Sequence, residues 1–170
     1  MSIITGYDPK TLRETVDVAA AEQRLTELGS LRSLSALNEK LNLLRLLGRL
    51  DEAWDIANEA LRQARFSGDR EQGLAARIRR AQVQQYQGKL VPALTDLTIC
   101  AEEAHGHEWT SLEATALHNR GRVLFDQREY REALADFKAA VVLWEKAGAS
   151  MDQLESSLIA IGVAEAFLGK

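Results

Sequence analysis

Long amide and guanidinium side chains recur in this sequence at one spacing. Asn42, Gln82 and Arg122 stand forty residues apart, and Arg79, Tyr86, Asn119 and Phe125 lie three or four residues from them. Amides and guanidiniums hydrogen-bond a peptide backbone or a carboxylate. Tyr86 and Phe125 add apolar anchoring area. That is the chemistry of recognition. Bond-making groups are scarce. His105-Gly106-His107-Glu108 sets two imidazoles and a carboxylate in a loop, but with one cysteine and no second ligand set the expectation is a solvated loop, not a zinc site. Cys100 falls at a small-residue packing position with no histidine beside it, which reads as a buried structural thiol. His118 reads as a surface histidine, or as a peptide contact if it works at all. There is no GxGxxG, no phosphate loop and no HExxH. The expectation is no enzyme, no cofactor and no bound metal.

The composition agrees. A length of 170 residues suggests about one domain, and 46% apolar residues supply a core. Charged residues make up 27%, with 21 basic against 25 acidic, a formal net charge of -4. That balance argues against a protein devoted to nucleic acid or an anionic membrane. Arg77, Arg79 and Arg80 form a local basic run, but without the interleaved aromatics of an RNA-binding face. No apolar run approaches the roughly 20 residues that span a bilayer. The start, Met1 to Asp8, has no basic stretch followed by an apolar one. A cytoplasmic protein is therefore expected. Two prolines and few β-branched residues favour helices.

The elements that must position these side chains are repeated. Gly48-Arg49-Leu50-Asp51-Glu52-Ala53-Trp54 is answered forty residues later by Gly88-Lys89-Leu90-Val91-Pro92-Ala93-Leu94, and forty after that by Arg128-Glu129-Tyr130-Arg131-Glu132-Ala133-Leu134. The same offset aligns Ala57, Leu97 and Phe137. It also aligns Ala60, Cys100 and Ala140, then Leu41, Ala81 and Gly121, then Leu44, Gln84 and Leu124. Leu37 and Leu117 match, but Arg77 breaks their column, so its charged end is expected to reach solvent or a carboxylate. Each copy reads as two helices. Leu34, Leu37, Leu41, Leu44 and Leu47 make one helical face, Gly48 ends it, and a second helix runs through Ala53, Ala57, Ala60 and Ala64. Turns are expected near 48–50, 88–90 and 127–129, and loops near 68, 107 and 148. Trp54, Trp109 and Trp144 are expected in packing; one exposed would mark a partner surface.

This pattern resembles the tetratricopeptide repeat family. The third copy carries it best, with Leu117, Gly121, Leu124, Tyr130, Ala133, Phe137 and Ala140 in the helix-packing columns. Gly48, Leu50, Ala53 and Ala60 keep it in copy one, and Gly88, Leu90 and Ala93 in copy two. The period of forty, not thirty-four, resembles the longer-repeat branch. The resemblance implies an all-α, right-handed superhelical solenoid of antiparallel helix pairs, about eight helices. The expected layout is a single domain over 1–170: an N-terminal helix over 8–30 opened by Asp8-Pro9, repeats at 31–70, 71–110 and 111–150, and a capping helix at 151–170.

In that family the first helix of each pair lines the inner surface. The resemblance therefore implies a concave groove lined by Asn42, Arg79, Gln82, Tyr86, Asn119, Arg122 and Phe125. Arg45, Ile78 and His118 fall in the same exposed columns, and Arg79 and Arg122 are expected to be solvent-exposed. The family's clamp for a peptide C-terminus is matched at Asn42 only, because Asn38 stands where its lysine is expected. The expected function is a non-catalytic protein–protein interaction scaffold holding a peptide or protein segment, acidic rather than basic. The alternative is a regulatory or assembly module that self-associates, or docks a larger signalling protein through an outer or terminal face.

Overall fold

A computed structural model describes residues 2–169. The order is β1 (Ile4–Tyr7), β2 (Glu14–Val16), α1 (Val18–Leu28), α2 (Leu34–Leu46), α3 (Leu50–Ser67), α4 (Arg70–Tyr86), α5 (Leu90–Gly106), α6 (Thr110–Asp126), α7 (Tyr130–Lys146) and α8 (Met151–Leu168). Eight helices among the described residues make this an all-α helical-repeat protein, and the turns and loops fall where the repeat places them. The chain divides into two compact units, residues 1–88 and 89–170. In the first, α3 packs on α2 and α4; in the second, α6 packs on α5 and α7, and α7 on α8.

The helix expected over 8–30 is replaced by a β-hairpin and the shorter α1. Asp8 does not cap a helix. Its carboxylate accepts from the Lys10 amide at 2.8 Å, and its own amide donates to the Arg13 carbonyl at 2.8 Å, closing a turn around Pro9. The flanks Ile3, Ile4, Thr5, Thr15 and Val16 are β-branched and pair antiparallel as Ile4 with Val16, Gly6 with Thr15 and Tyr7 with Glu14. The helix start is Asp17, whose side chain accepts from the Ala20 amide at 3.0 Å. Ser33 and Asp69 cap α2 and α4 in the same way.

Within each unit the core uses the repeated columns. In the first, Leu41, Leu44, Ala53, Ala57 and Val83 pack together with Trp54 half-buried against them. In the second, Ala114, Ala140 and Trp144 pack with Leu117 and Leu154. Trp109 is half-buried with its ring stacked on His107 at 4.3 Å, so no tryptophan is exposed. Cys100 is fully buried. Arg77 is half-buried, outside the core that Leu37 enters with no exposure.

The turn between paired helices needs one residue in the left-handed region. Gly48 and Gly88 take it at φ 75° and 78°; the third copy puts Arg128 there at φ 64°. A residue with a Cβ loses about 1 kcal/mol or more in that conformation. Arg128→Gly is therefore expected to raise stability by up to about 1 kcal/mol, the exact gain set by glycine's looser unfolded chain. Urea denaturation measures it, and a loss of stability would contradict the account.

Candidate functional site

Helices α2 and α4 flank α3 in the first unit, joined to it by short connections at 47–49 and 68–69. Two short antiparallel steps would leave α2 and α4 running the same way. On α2, Asn38, Asn42 and Arg45 recur at helical spacing on one face; on α4, Arg79, Gln82 and Tyr86 do the same. The forty-residue offset pairs Asn42 with Gln82, while Arg79 and Tyr86 stand one residue beyond the positions equivalent to Asn38 and Arg45, so the six fall into three approximate rungs.

The last rung is occupied by the chain itself. Glu14, on β2, accepts from Arg45 Nη1 at 3.0 Å and from the Tyr86 hydroxyl at 2.6 Å. The side chains of Arg45 and Glu14 are only 5% and 8% exposed. Both the Arg45 and the Arg13 guanidiniums lie over the Tyr86 ring, 4.7 and 4.4 Å from its centroid. Charge-assisted hydrogen bonds and cation–π contacts are stronger when shielded from water. Arg45 is thus buried, contrary to its expected place in an exposed column. Its burial depends on the hairpin, which the sequence reading replaced with a helix.

The other rungs are half-buried and unsatisfied. Among the described residues, Asn38, Asn42, Arg79 and Gln82 have no side-chain hydrogen bond or ion pair, and Asn38 Oδ1 and Arg79 Nη1 are shut off from solvent as well. Burial lowers the Arg79 pKa from its usual value, although it stays charged at any ordinary pH. Arg79 is therefore half-buried, not fully exposed. A desolvated guanidinium without an anion is costly to keep.

The corresponding columns of the second unit are filled by packing. Asn119 is buried and donates to the Thr115 carbonyl at 2.9 Å. Phe125 is 4% exposed, edge-on to Tyr130 and Phe167 at 5.2 Å each. Arg122 was expected at the surface but is 3% exposed. Ile78, on α4, is likewise buried at 2%. His118 is not a surface histidine: it is 7% exposed, its Nδ1 lies 2.7 Å from Ser157 Oγ, and its ring abuts Phe137 and Trp144 at 5.5 Å. The physical reason is common to all three. These positions lie on helix faces covered by neighbouring helices, and a one-residue change of helical phase, about 100°, separates them from the open face.

His105 Nδ1 pairs with Glu113 at 3.0 Å, and among the described residues no three histidine, cysteine or carboxylate side chains gather as a metal site. A cleft of about 360 Å³ in the second unit is lined by Leu94, Thr98, Arg120, Leu124, Glu132, Ala135 and Asp136. Its two central charges neutralise each other: Arg120 donates twice to Asp136 at 2.7 and 2.8 Å, and that pairing raises the Arg120 pKa. No helix among the described residues is long and apolar enough to cross a membrane. The residues missed by the sequence reading are Arg13 and Glu14. Their signal was the β-branched alternation around them, masked by the helix-like Asp8-Pro9.

Residues 114–147 match the family model described as tetratricopeptide repeat. The match begins within α6 and ends just after α7, so it falls on a single helix pair. A search of curated proteins finds no match. Among solved structures, the crystal structure of BtubC (BKLC) from P. vanneervenii is similar, with a TM-score of 0.61 at 15% identity. The similarity covers 89% of this chain and 65% of that one, so this chain spans less than two thirds of its length. At that identity the likeness concerns the helical-repeat fold alone.

Proposed function

We propose that this chain, a helical-repeat protein matching the tetratricopeptide repeat model at 114–147, is a non-catalytic interaction scaffold that holds an extended, carboxylate-bearing segment of a partner on the α2/α4 face. Repeats of this family generally bind proteins or peptides. The observation that carries the reading is Glu14: an acidic residue on an extended strand, held by Arg45 and Tyr86. The face therefore has the donors such a ligand needs, and Asn42 and Gln82 have hydrogen-bonding capacity left for its backbone. Arg79 adds charge complementarity, which speeds encounter and selects acidic over basic segments. Asn119, Arg122 and Phe125 would then support the second unit's packing more than ligand contact.

The test is a comparison of acidic and basic peptides of equal length, titrated into the intact chain and into Arg45→Met. Acidic peptides should bind better, weaken with added salt, and lose at least tenfold in affinity with Arg45→Met while helicity is kept. Equal binding of both peptides, or no effect of the substitution, would move recognition elsewhere. Simultaneous reversal of Arg79 and Arg122 is a poor test, because Arg122 is buried and a glutamate there would disturb folding. A docking or assembly role is the second reading, favoured by α8. That helix exposes Met151 at 74% and Leu158 at 53% on the side away from the buried Ser157, Ala160 and Ala164.

A further inference from the structure

The hairpin closes only one end of the α2/α4 face. At that end Glu14 accepts from Arg45 Nη1 and from the Tyr86 hydroxyl, although Arg45 Nε stays buried without a hydrogen-bond partner. At the other, Arg79 is half-buried with its Nη1 shut off from water, and no described carboxylate reaches it. Tyr86 and Arg79 are seven residues apart on α4. Two helical turns put them about 10.5 Å apart along the axis. An extended or polyproline-II segment advances about 3.1–3.3 Å per residue, so three residues span about 9–10 Å. In the polyproline-II form the side chains of residues i and i+3 also point the same way. Between the two anchors lie Asn42 and Gln82, neither engaged by another side chain.

We infer that the hairpin is a tethered place-holder, and that the segment displacing it carries two carboxylates three residues apart, the first replacing Glu14 between Arg45 and Tyr86 and the second meeting Arg79. This rests on the α2/α4 face being the binding face. The hairpin supplies one carboxylate and leaves the second anchor empty, so a two-carboxylate segment has an interaction that the tethered strand lacks. The tether's own advantage is effective concentration, in the millimolar range for a short connection. It reduces the apparent affinity of any incoming segment to the intrinsic value multiplied by the fraction of time the face is open. A segment that starts at Arg79 and then displaces Glu14 would compete without waiting for the hairpin to open fully.

The probes are two blocked hexapeptides of equal charge: Ser-Glu-Ser-Ser-Glu-Ser, with its carboxylates three apart, and Ser-Glu-Glu-Ser-Ser-Ser, with them adjacent. Each is titrated into the intact chain and into its Glu14→Gln, Glu14→Ala, Arg79→Gln and Arg45→Met variants, followed by amide NMR shifts on α2 and α4, with helicity checked by circular dichroism. The expected result is that Glu14→Gln binds the spaced peptide at least tenfold more tightly than the intact chain does, and at least fivefold more tightly than it binds the adjacent peptide. Glu14→Ala should behave alike. Arg79→Gln should erase the preference for spacing while leaving weak binding that still depends on Arg45. Binding that is Arg45-dependent but indifferent to spacing and to Arg79 overturns the two-carboxylate inference and leaves the proposed binding face standing. Equal affinity for the intact chain and the Glu14 variants overturns the place-holder. No Arg45-dependent binding in any form removes the proposed binding face, and this inference with it.

Discussion

Truncating Phe137 to alanine is expected to destabilise the chain by about 3–5 kcal/mol, the range for a buried phenylalanine. Phe137 is fully buried on α7, and its ring fills the space that position 121 on α6 leaves open. A Cβ built on Gly121 would stand 2.6 and 2.8 Å from two Phe137 ring carbons and 3.2 Å from the Ala133 carbonyl. Gly121→Ala gains about 1 kcal/mol in helix propensity. Against that stands an overpacking cost of typically 1–3 kcal/mol, and the backbone carbonyl cannot swing aside as a side chain can. The net should be a loss. In the first unit the same columns hold Leu41 and Ala57, packed in one cluster with the large residue on the other helix. Volume is thus exchanged across the helix pair. Gly121→Ala combined with Phe137→Leu should therefore lose less than the sum of the two single variants, by about 0.5–3 kcal/mol of coupling. Urea denaturation of the four proteins measures the cycle. Strict additivity would mean that the two positions do not share their space.

Replacing Glu14 with alanine should act locally. Breaking a buried ion pair by deleting one partner costs about 3–5 kcal/mol if the structure stays closed around the orphaned charge. The chain has a cheaper escape. The hairpin is two short strands of four and three residues. It is anchored by few buried apolar groups, chiefly Leu12 at 3% exposure and Ile3 against the α1/α2 cluster. An isolated two-stranded hairpin is marginal in water. Released, it lets Arg45 reach solvent, so the cost is capped by the free energy of local opening. Amide exchange at residues 4–7 and 14–16 is expected to quicken about tenfold or more, with protection in α2, α3 and α4 unchanged. Replacing both partners with methionine should restore part of the closure, because no charge is then left buried. Faster exchange throughout α2–α4 would instead make the hairpin part of one cooperative unit with the helices. The pair is shielded, so moderate salt should change the result little.

The amino-acid sequence by itself determined the helical repeat. A repeated turn word with one offset, apolar columns in phase with the helix, and small residues at Ala53, Ala93 and Ala133 are local and additive signals. They placed the inter-helix turns from α2 onward, because helix ends are set by neighbouring residues and by left-handed turn positions. Only the tertiary structure decided which polar residues of the inner columns remain available. Asn42 and Asn119 differ little as sequence, yet one is half-buried without a side-chain partner and the other buried and bonded to Thr115. Their exposure depends on which helices cover them, and burial is a property of contacts distant along the chain. The hairpin is the sharpest case. Asp8-Pro9 satisfies the local rules for a helix start, but its residues gain more by pairing Ile4 with Val16 and Tyr7 with Glu14. Glu14 also finds Arg45 and Tyr86, 31 and 72 residues away. No periodicity records a partnership at that range, because the free energy that holds it arises only when α2 and α4 have already brought Arg45 and Tyr86 together.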